Sequence, residues 1–231
     1  MNRIFRVVSL ISLLALMQAA LILLPAWIFG IFTMPVVWLI YSSYMIFFFG
    51  TIRRSIVHGK LADRKDDEQV HSSSGKAAFM VQIFGLIAVH YTGIYDYSTV
   101  LLSGSVSQSV SSSPFFWGGI TLMIIATALT YHATITLGKF YDRLAIKNDH
   151  RLVQDGIYRI LRHPIYTGHI LFFLGFCLLT QSFIALLIFA LVSVVWYGSR
   201  MNIEESMLER KFGEEYRHYL NRTKRLFPFI Y

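Results

Sequence analysis

Residues 7–30 carry one strongly polar side chain, Gln18. A helix rises about 1.5 Å per residue, so a run of this length crosses the roughly 30 Å apolar interior of a bilayer. Backbone that enters hydrocarbon must satisfy its own N–H and C=O groups, which leaves helices and closed barrels. Further apolar runs follow at 35–52 (rich in aromatics), 77–95, 115–136 and 168–198. Their length suits spanning helices. Composition agrees: 55% of residues are hydrophobic and 15% charged, against roughly 45–50% and 25% in soluble domains. The chain reads as an all-α, polytopic integral membrane protein.

The net charge of +8 does not call for nucleic acid, because Lys and Arg collect in cytoplasmic loops of membrane proteins. The 53–76 loop carries Arg53, Arg54, Lys60, Arg64, Lys65 and Lys76, whereas the Ser-rich 96–114 loop carries no Lys or Arg. The first loop is expected in the cytoplasm and the second outside. Arg3 and Arg6 then put the N-terminus in the cytoplasm, and four spans return the chain there near Leu137. A signal peptide is the rival reading of the first run. The run is too long for a signal core and no small-x-small site ends it, so an uncleaved helix, kinked by Pro25, is expected. The organisation read here is four spans over 1–136 and a functional core over 137–231.

Residues 137–167 mix polar and apolar side chains and suit no span; an irregular turn is expected near Gly156. The 168–198 run is long for one span and short for two, and its one polar break is Thr180-Gln181-Ser182. The residues alone allow a hairpin turning at Gln181 or a single tilted span. The tail is charged and helical in pattern, with a stripe of Ile203, Met207, Phe212, Tyr216 and Tyr219 and a kink near Gly213. It reads as an amphipathic C-terminal helix at the membrane surface.

The segment "RHPIYTG", residues 162–168, puts polar groups at the mouth of an apolar run. Arg200 and Glu204 share a helix face at the end of the same run. The plain reading is a helix-end salt bridge with His163 and Tyr166 as interfacial anchors. Two details weigh against it. Glu204 and Glu205 are adjacent acids, which gain nothing from anionic lipid. Pro164 and Gly168 shape a turn rather than a simple helix end.

The joint pattern "DHRLVQDGIYRILRHPIYTG" followed by "EESMLERKFGEEYRHYLNRTKRLFPFI" resembles the C-terminal half of the isoprenylcysteine carboxyl methyltransferase family and, more distantly, membrane phospholipid N-methyltransferases. The likeness covers about residues 137–231. It implies a membrane-embedded methyltransferase that uses S-adenosylmethionine without a Rossmann domain, and no Gly-rich strand–helix fingerprint is present. It implies a cofactor pocket of His150, Leu152, Val153, Tyr158, His163, Pro164, Ile165, Tyr166 and Glu204. Arg200 would face the methyl acceptor, with Arg200 and His163 in catalytic roles. These contacts must converge, so the resemblance requires the hairpin and six spans in total, with the C-terminus in the cytoplasm.

The implied acceptor is lipophilic, with an isoprenylcysteine-like carboxylate as the archetype; small thiols, lipid amines and quinone-like molecules stay open. A thiol or amine would need a proton sink, for which His163 is the obvious residue. Arg143, seven residues before His150, departs from an amide found there in some members. Two other classes fit the layout: a sterol-reductase-like NADPH oxidoreductase, and a non-catalytic protein that binds lipid or a partner. The Glu204-Glu205 pair argues against the first, and the retained Arg200, Glu204 and RHPIYTG set against the second. Cys177 reads as packing. His90 and His132 lie in spans without a ligand-spaced carboxylate, so no metal is expected. His58, His71 and His218 read as solvated, and His169 as a residue near the pocket mouth.

Overall fold

In the computed structural model, residues 3–58, 73–103, 113–141 and 151–227 are described. Every apolar run is helical. Helix α1 (Arg3–Gln18) passes through a π-helical turn at Ala19–Leu23 into α2 (Leu24–Ile28). The break falls a turn before the expected kink at Pro25. Proline has no N–H to offer the carbonyl a turn earlier, and the wider turn absorbs that loss. Then come α3 (Pro35–His58), α4 (Ser73–Leu102), α5 (Pro114–Leu137), α6 (Pro164–Thr180), α7 (Phe183–Phe212) and α8 (Glu214–Arg222).

Among the described residues, four segments are long and apolar enough to cross a membrane: 7–28, 73–102, 114–140 and 183–212. The apolar stretches 35–50 and 164–180 are shorter. At about 1.5 Å per residue, α6 reaches about 25 Å, short of a roughly 30 Å hydrocarbon core unless the bilayer thins or flanking residues extend it. The six predicted segments are therefore all present as apolar helices, and four of them have full spanning length. Large apolar side chains on the outside, such as Leu191 (71% exposed), Val194 (76%) and Phe84 (66%), suit lipid rather than water.

The 168–198 run is a hairpin. Gln181 takes a left-handed conformation (φ 53°) and caps α6, while Ser182 caps α7 by accepting from the Ala185 amide. The Ser182 hydroxyl also donates to Asp96 on α4 at 2.5 Å. That bond ties the turn to the bundle. The bundle interior is aromatic, with Tyr44, Phe47, Phe172, Phe173 and Phe176 packed together. Helices α5 and α6 approach closely: a Cβ at Gly119 would stand 2.5 Å from the Gly175 carbonyl oxygen. At the motif glycine, Gly168, an added Cβ would collide with Thr130 Oγ1, so any side chain there would push α6 off α5.

The irregular segment expected near Gly156 is a short 3-10 turn, Gly156–Arg159, entered through a glycine with φ 55°. Gly138 ends α5 at φ 54°. In the tail, α7 stops at Phe212 and the chain turns at Gly213 (φ 52°) into the strongly amphipathic α8. Tyr216 and Tyr219 are buried on its inner face.

Candidate active site

Proline 164 opens α6, where its missing N–H costs nothing. That placement puts Arg162 and His163 just before the helix and Tyr166 within its first turn. The tail then returns alongside. Leu161 and Lys224 form a parallel bridge, the Arg162 and His163 amides donate to the Lys224 and Arg225 carbonyls, and the Lys224 amide donates to the Ile160 carbonyl. The Thr167 hydroxyl adds a bond to the Leu226 carbonyl at 2.6 Å.

Helix α7 descends from the hairpin and delivers two carboxylates to this junction. Glu205 Oε1 accepts from His163 Nε2 at 2.9 Å, Arg162 Nε at 3.1 Å and Arg225 Nε at 3.2 Å. Arg162 also donates to the Leu220 and Thr223 carbonyls, which satisfies the end of α8. Glu204, one residue earlier, points elsewhere. Its Oε2 accepts from the Tyr166 hydroxyl at 2.7 Å and stands 3.6 Å from His163 Nδ1. Arg200 Nε–H donates to the Tyr166 oxygen at 3.3 Å, and the guanidinium lies 5.2 Å from the Trp196 ring centre.

The two ring nitrogens of His163 thus face two different carboxylates, and the ring stacks on Tyr166 (5.4 Å, 19°). The side chain is buried. Burial alone pushes the imidazole towards its neutral form, but Glu204 and Glu205 outweigh it and hold its pKa above the ordinary histidine value. A ring that keeps its proton between two acids is a poor proton sink and a good clamp. Glu204 retains about one-third exposure (32%), so its carboxylate remains open to a cationic ligand.

His163, Tyr166, Arg200 and Glu204 therefore converge as the sequence led one to expect. Pro164 is buried beneath them. Val153, Tyr158 and Ile165 pack with Ala133 and Phe140 in an adjoining apolar cluster. The Tyr158 carbonyl accepts from Tyr219 at 2.8 Å, and burial, then the Glu204 charge, push its phenol well up. Leu152 is half-buried in the extended stretch before this cluster. His150 and Arg143 lie outside the described residues.

A phospholipid methyltransferase family description matches residues 114–215. Among curated relatives, protein-S-isoprenylcysteine O-methyltransferase B of Arabidopsis thaliana is 29% identical over 165 residues, covering 62% of this chain and 84% of that one. The Saccharomyces cerevisiae protein-S-isoprenylcysteine O-methyltransferase is 36% identical over 115 residues, 48% of either chain. These likenesses support the isoprenylcysteine carboxyl methyltransferase resemblance seen in the sequence. It is a membrane methyltransferase. Its fold matches a solved eukaryotic intramembrane Ras methyltransferase with a TM-score of 0.50 at 20% identity, over 96% of this chain and 73% of the other.

Three residues of this cluster lie outside the set expected from the sequence: Arg162, Glu205 and Arg225. The adjacency of Glu205 to Glu204 was visible. Nothing local in the sequence announces that Arg225 folds back upon it.

Proposed function

We propose that this methyltransferase transfers a methyl group from S-adenosylmethionine to the carboxylate of a lipophilic, isoprenylcysteine-like acceptor. One observation carries the reading: Tyr166 links a part-exposed carboxylate, Glu204, to a guanidinium, Arg200, by direct hydrogen bonds. An acceptor for positive charge and a donor for negative charge stand side by side at the end of an apolar bundle.

The side chains suit that cofactor. Glu204 offers a carboxylate to a cationic group, Tyr166 and His163 offer flat faces, and the Val153–Tyr158–Ile165 cluster offers an apolar wall. When bound, S-adenosylmethionine supplies a methyl group on a positively charged sulfur, already activated for displacement. Arg200 would hold the acceptor carboxylate through paired N–H bonds. A carboxylate acceptor releases no proton, so no base is required of the chain. His163 keeps Glu204 ionised and aimed, which makes it a positioning residue in this reading. The chain's work is orientation and exclusion of water.

The Lys and Arg of the 53–76 loop favour a cytoplasmic position for this end of the bundle and for both termini in this reading. An acceptor with an apolar tail reaches the site from the bilayer. The test is binding of labelled S-adenosylmethionine to the purified full chain, followed by transfer to an S-prenylated cysteine. Saturable binding that Glu204→Ala weakens at least tenfold, with unchanged melting, is the expected result. Binding of NADPH in its place by folded wild type would overturn the reading.

A further inference from the structure

His169 lies one turn beyond Tyr166 on α6. Its Nδ1 stands 2.7 Å from the Ile165 carbonyl oxygen. A carbonyl only accepts, so that nitrogen carries the proton and Nε2 of the neutral ring presents a lone pair. No hydrogen bond to Nε2 is made by any described residue. The ring is gripped edge-on by Phe47 at 5.0 Å and approached by Tyr197 at 6.4 Å.

His169 lines a narrow cleft together with Phe47, Phe48, Thr130, Thr134 and Tyr141. The space open to the centre of a water-sized group is about 10 Å³, which is room for one small polar group and no more. Thr134 is committed to the Thr130 carbonyl at 2.7 Å. The Thr130 hydroxyl is not: it is buried (8% exposed) and has no hydrogen-bond partner among the described residues. The cleft thus holds a buried hydroxyl without a partner, which is costly to keep unless something visits it, and a histidine whose Nε2 lone pair is open. Tyr197 connects the cleft to the proposed acceptor position, its ring lying near both His169 and Tyr166. Tyr166, which bonds Arg200, is one turn away on the same helix face, and Tyr197 precedes Arg200 by one turn on α7.

We propose that His169 Nε2 and the Thr130 hydroxyl form a subsite for a hydrogen-bond-donating group of the methyl acceptor, the N–H beside its carboxylate, while Arg200 holds the carboxylate. This rests on the carboxylate-acceptor reading above. His169 is then a specificity-determining positioning residue. It accepts from the N–H of an acylated cysteine nitrogen and takes no proton from it. An acceptor whose nitrogen is methylated has no hydrogen to offer and brings a methyl group into a cleft that fits one small polar group.

The experiment uses the full chain in lipid nanodiscs with two probes: an S-prenylated cysteine with an acetylated N–H, and the same molecule with that nitrogen methylated. Equilibrium binding of each and methyl-transfer KM and kcat are measured for wild type, His169→Ala and His169→Gln. S-adenosylmethionine binding reports that the variants are folded. Wild type is expected to prefer the N–H probe by about tenfold. His169→Ala loses that preference through KM with kcat little changed, and His169→Gln, which keeps an acceptor atom, restores most of it. Equal handling of both probes by folded wild type and His169→Ala overturns the subsite and leaves the function standing. If wild type binds cofactor but neither probe, the acceptor class and the subsite both fall.

Discussion

Two histidines of this protein are equally hidden and differently used. His90 is 0% exposed and His163 is 3% exposed. His90 sits mid-bundle on α4, donating from Nδ1 to the Leu86 carbonyl at 2.6 Å and accepting at Nε2 from the Tyr44 hydroxyl at 2.8 Å. All its partners are neutral, and Phe173 and Phe176 close around it. His163 sits at the bundle end between two carboxylates with arginines behind them. Burial therefore does not separate a packing histidine from a site histidine. The charge of the partners does. A neutral pair closes on itself, whereas a charged cluster keeps one carboxylate, Glu204, part-exposed.

The strongest way to break this contrast is Glu205→Ala. It strips the shared acceptor from Arg162, His163 and Arg225, and leaving buried charges without a partner costs about 3 kcal/mol or more. The expected result in a denaturation series is a loss of that order, together with weaker cofactor binding. A loss under about 0.5 kcal/mol would show that the clasp is a surface ion pair in character.

Next in size is Tyr166→Phe. It removes the hydroxyl between Glu204 and Arg200, and hydrogen bonds to charged groups contribute about 1.5–3 kcal/mol. Methyl transfer is expected to fall by about tenfold or more, with a stability loss of about 1 kcal/mol or more. The counterpart in the other region is Tyr44→Phe, which leaves His90 Nε2 without a donor. A stability loss of about 1 kcal/mol is expected, with no change in cofactor affinity. A loss of activity there would dissolve the distinction drawn above.

The smallest effect is the pH signature. The folded pKa of His163 lies above its ordinary 6.5. Its contribution to stability is then complete below that value and is lost as pH rises through the folded pKa. The melting-temperature advantage of wild type over His163→Gln should be largest near pH 6 and shrink towards pH 9. An advantage that grows with pH would reverse the assigned charge state.

Much of this could be read from the residues. The apolar runs, the turn at Gly156, the kink at Gly213 and the meeting of His163, Tyr166, Arg200 and Glu204 all follow from local pattern or family resemblance. Run length alone left the hairpin undecided, because thirty-odd apolar residues, 168–198, suit either one tilted helix or two short ones. The structure resolves it with a left-handed Gln181, a conformation that no propensity for glutamine announces. The clasp on Glu205 was not legible either. It depends on the turn at Gly213 and the path of the chain after α8, which bring Arg225 back to Glu205 on α7. His169 was visible only as a histidine near the motif, since its tautomer is set by a backbone carbonyl.

The parallel bridge between Leu161 and Lys224 has a consequence for how the tail can vary. Its bonds run through amides and carbonyls of residues 160, 162, 163, 224 and 225, which nearly every amino acid supplies. The Lys224 side chain is exposed, so the position is free in chemistry and fixed in space. Drift at 224 should be tolerated across charge and size. Proline alone, lacking the N–H that reaches Ile160, would unfasten the tail from the mouth of the site.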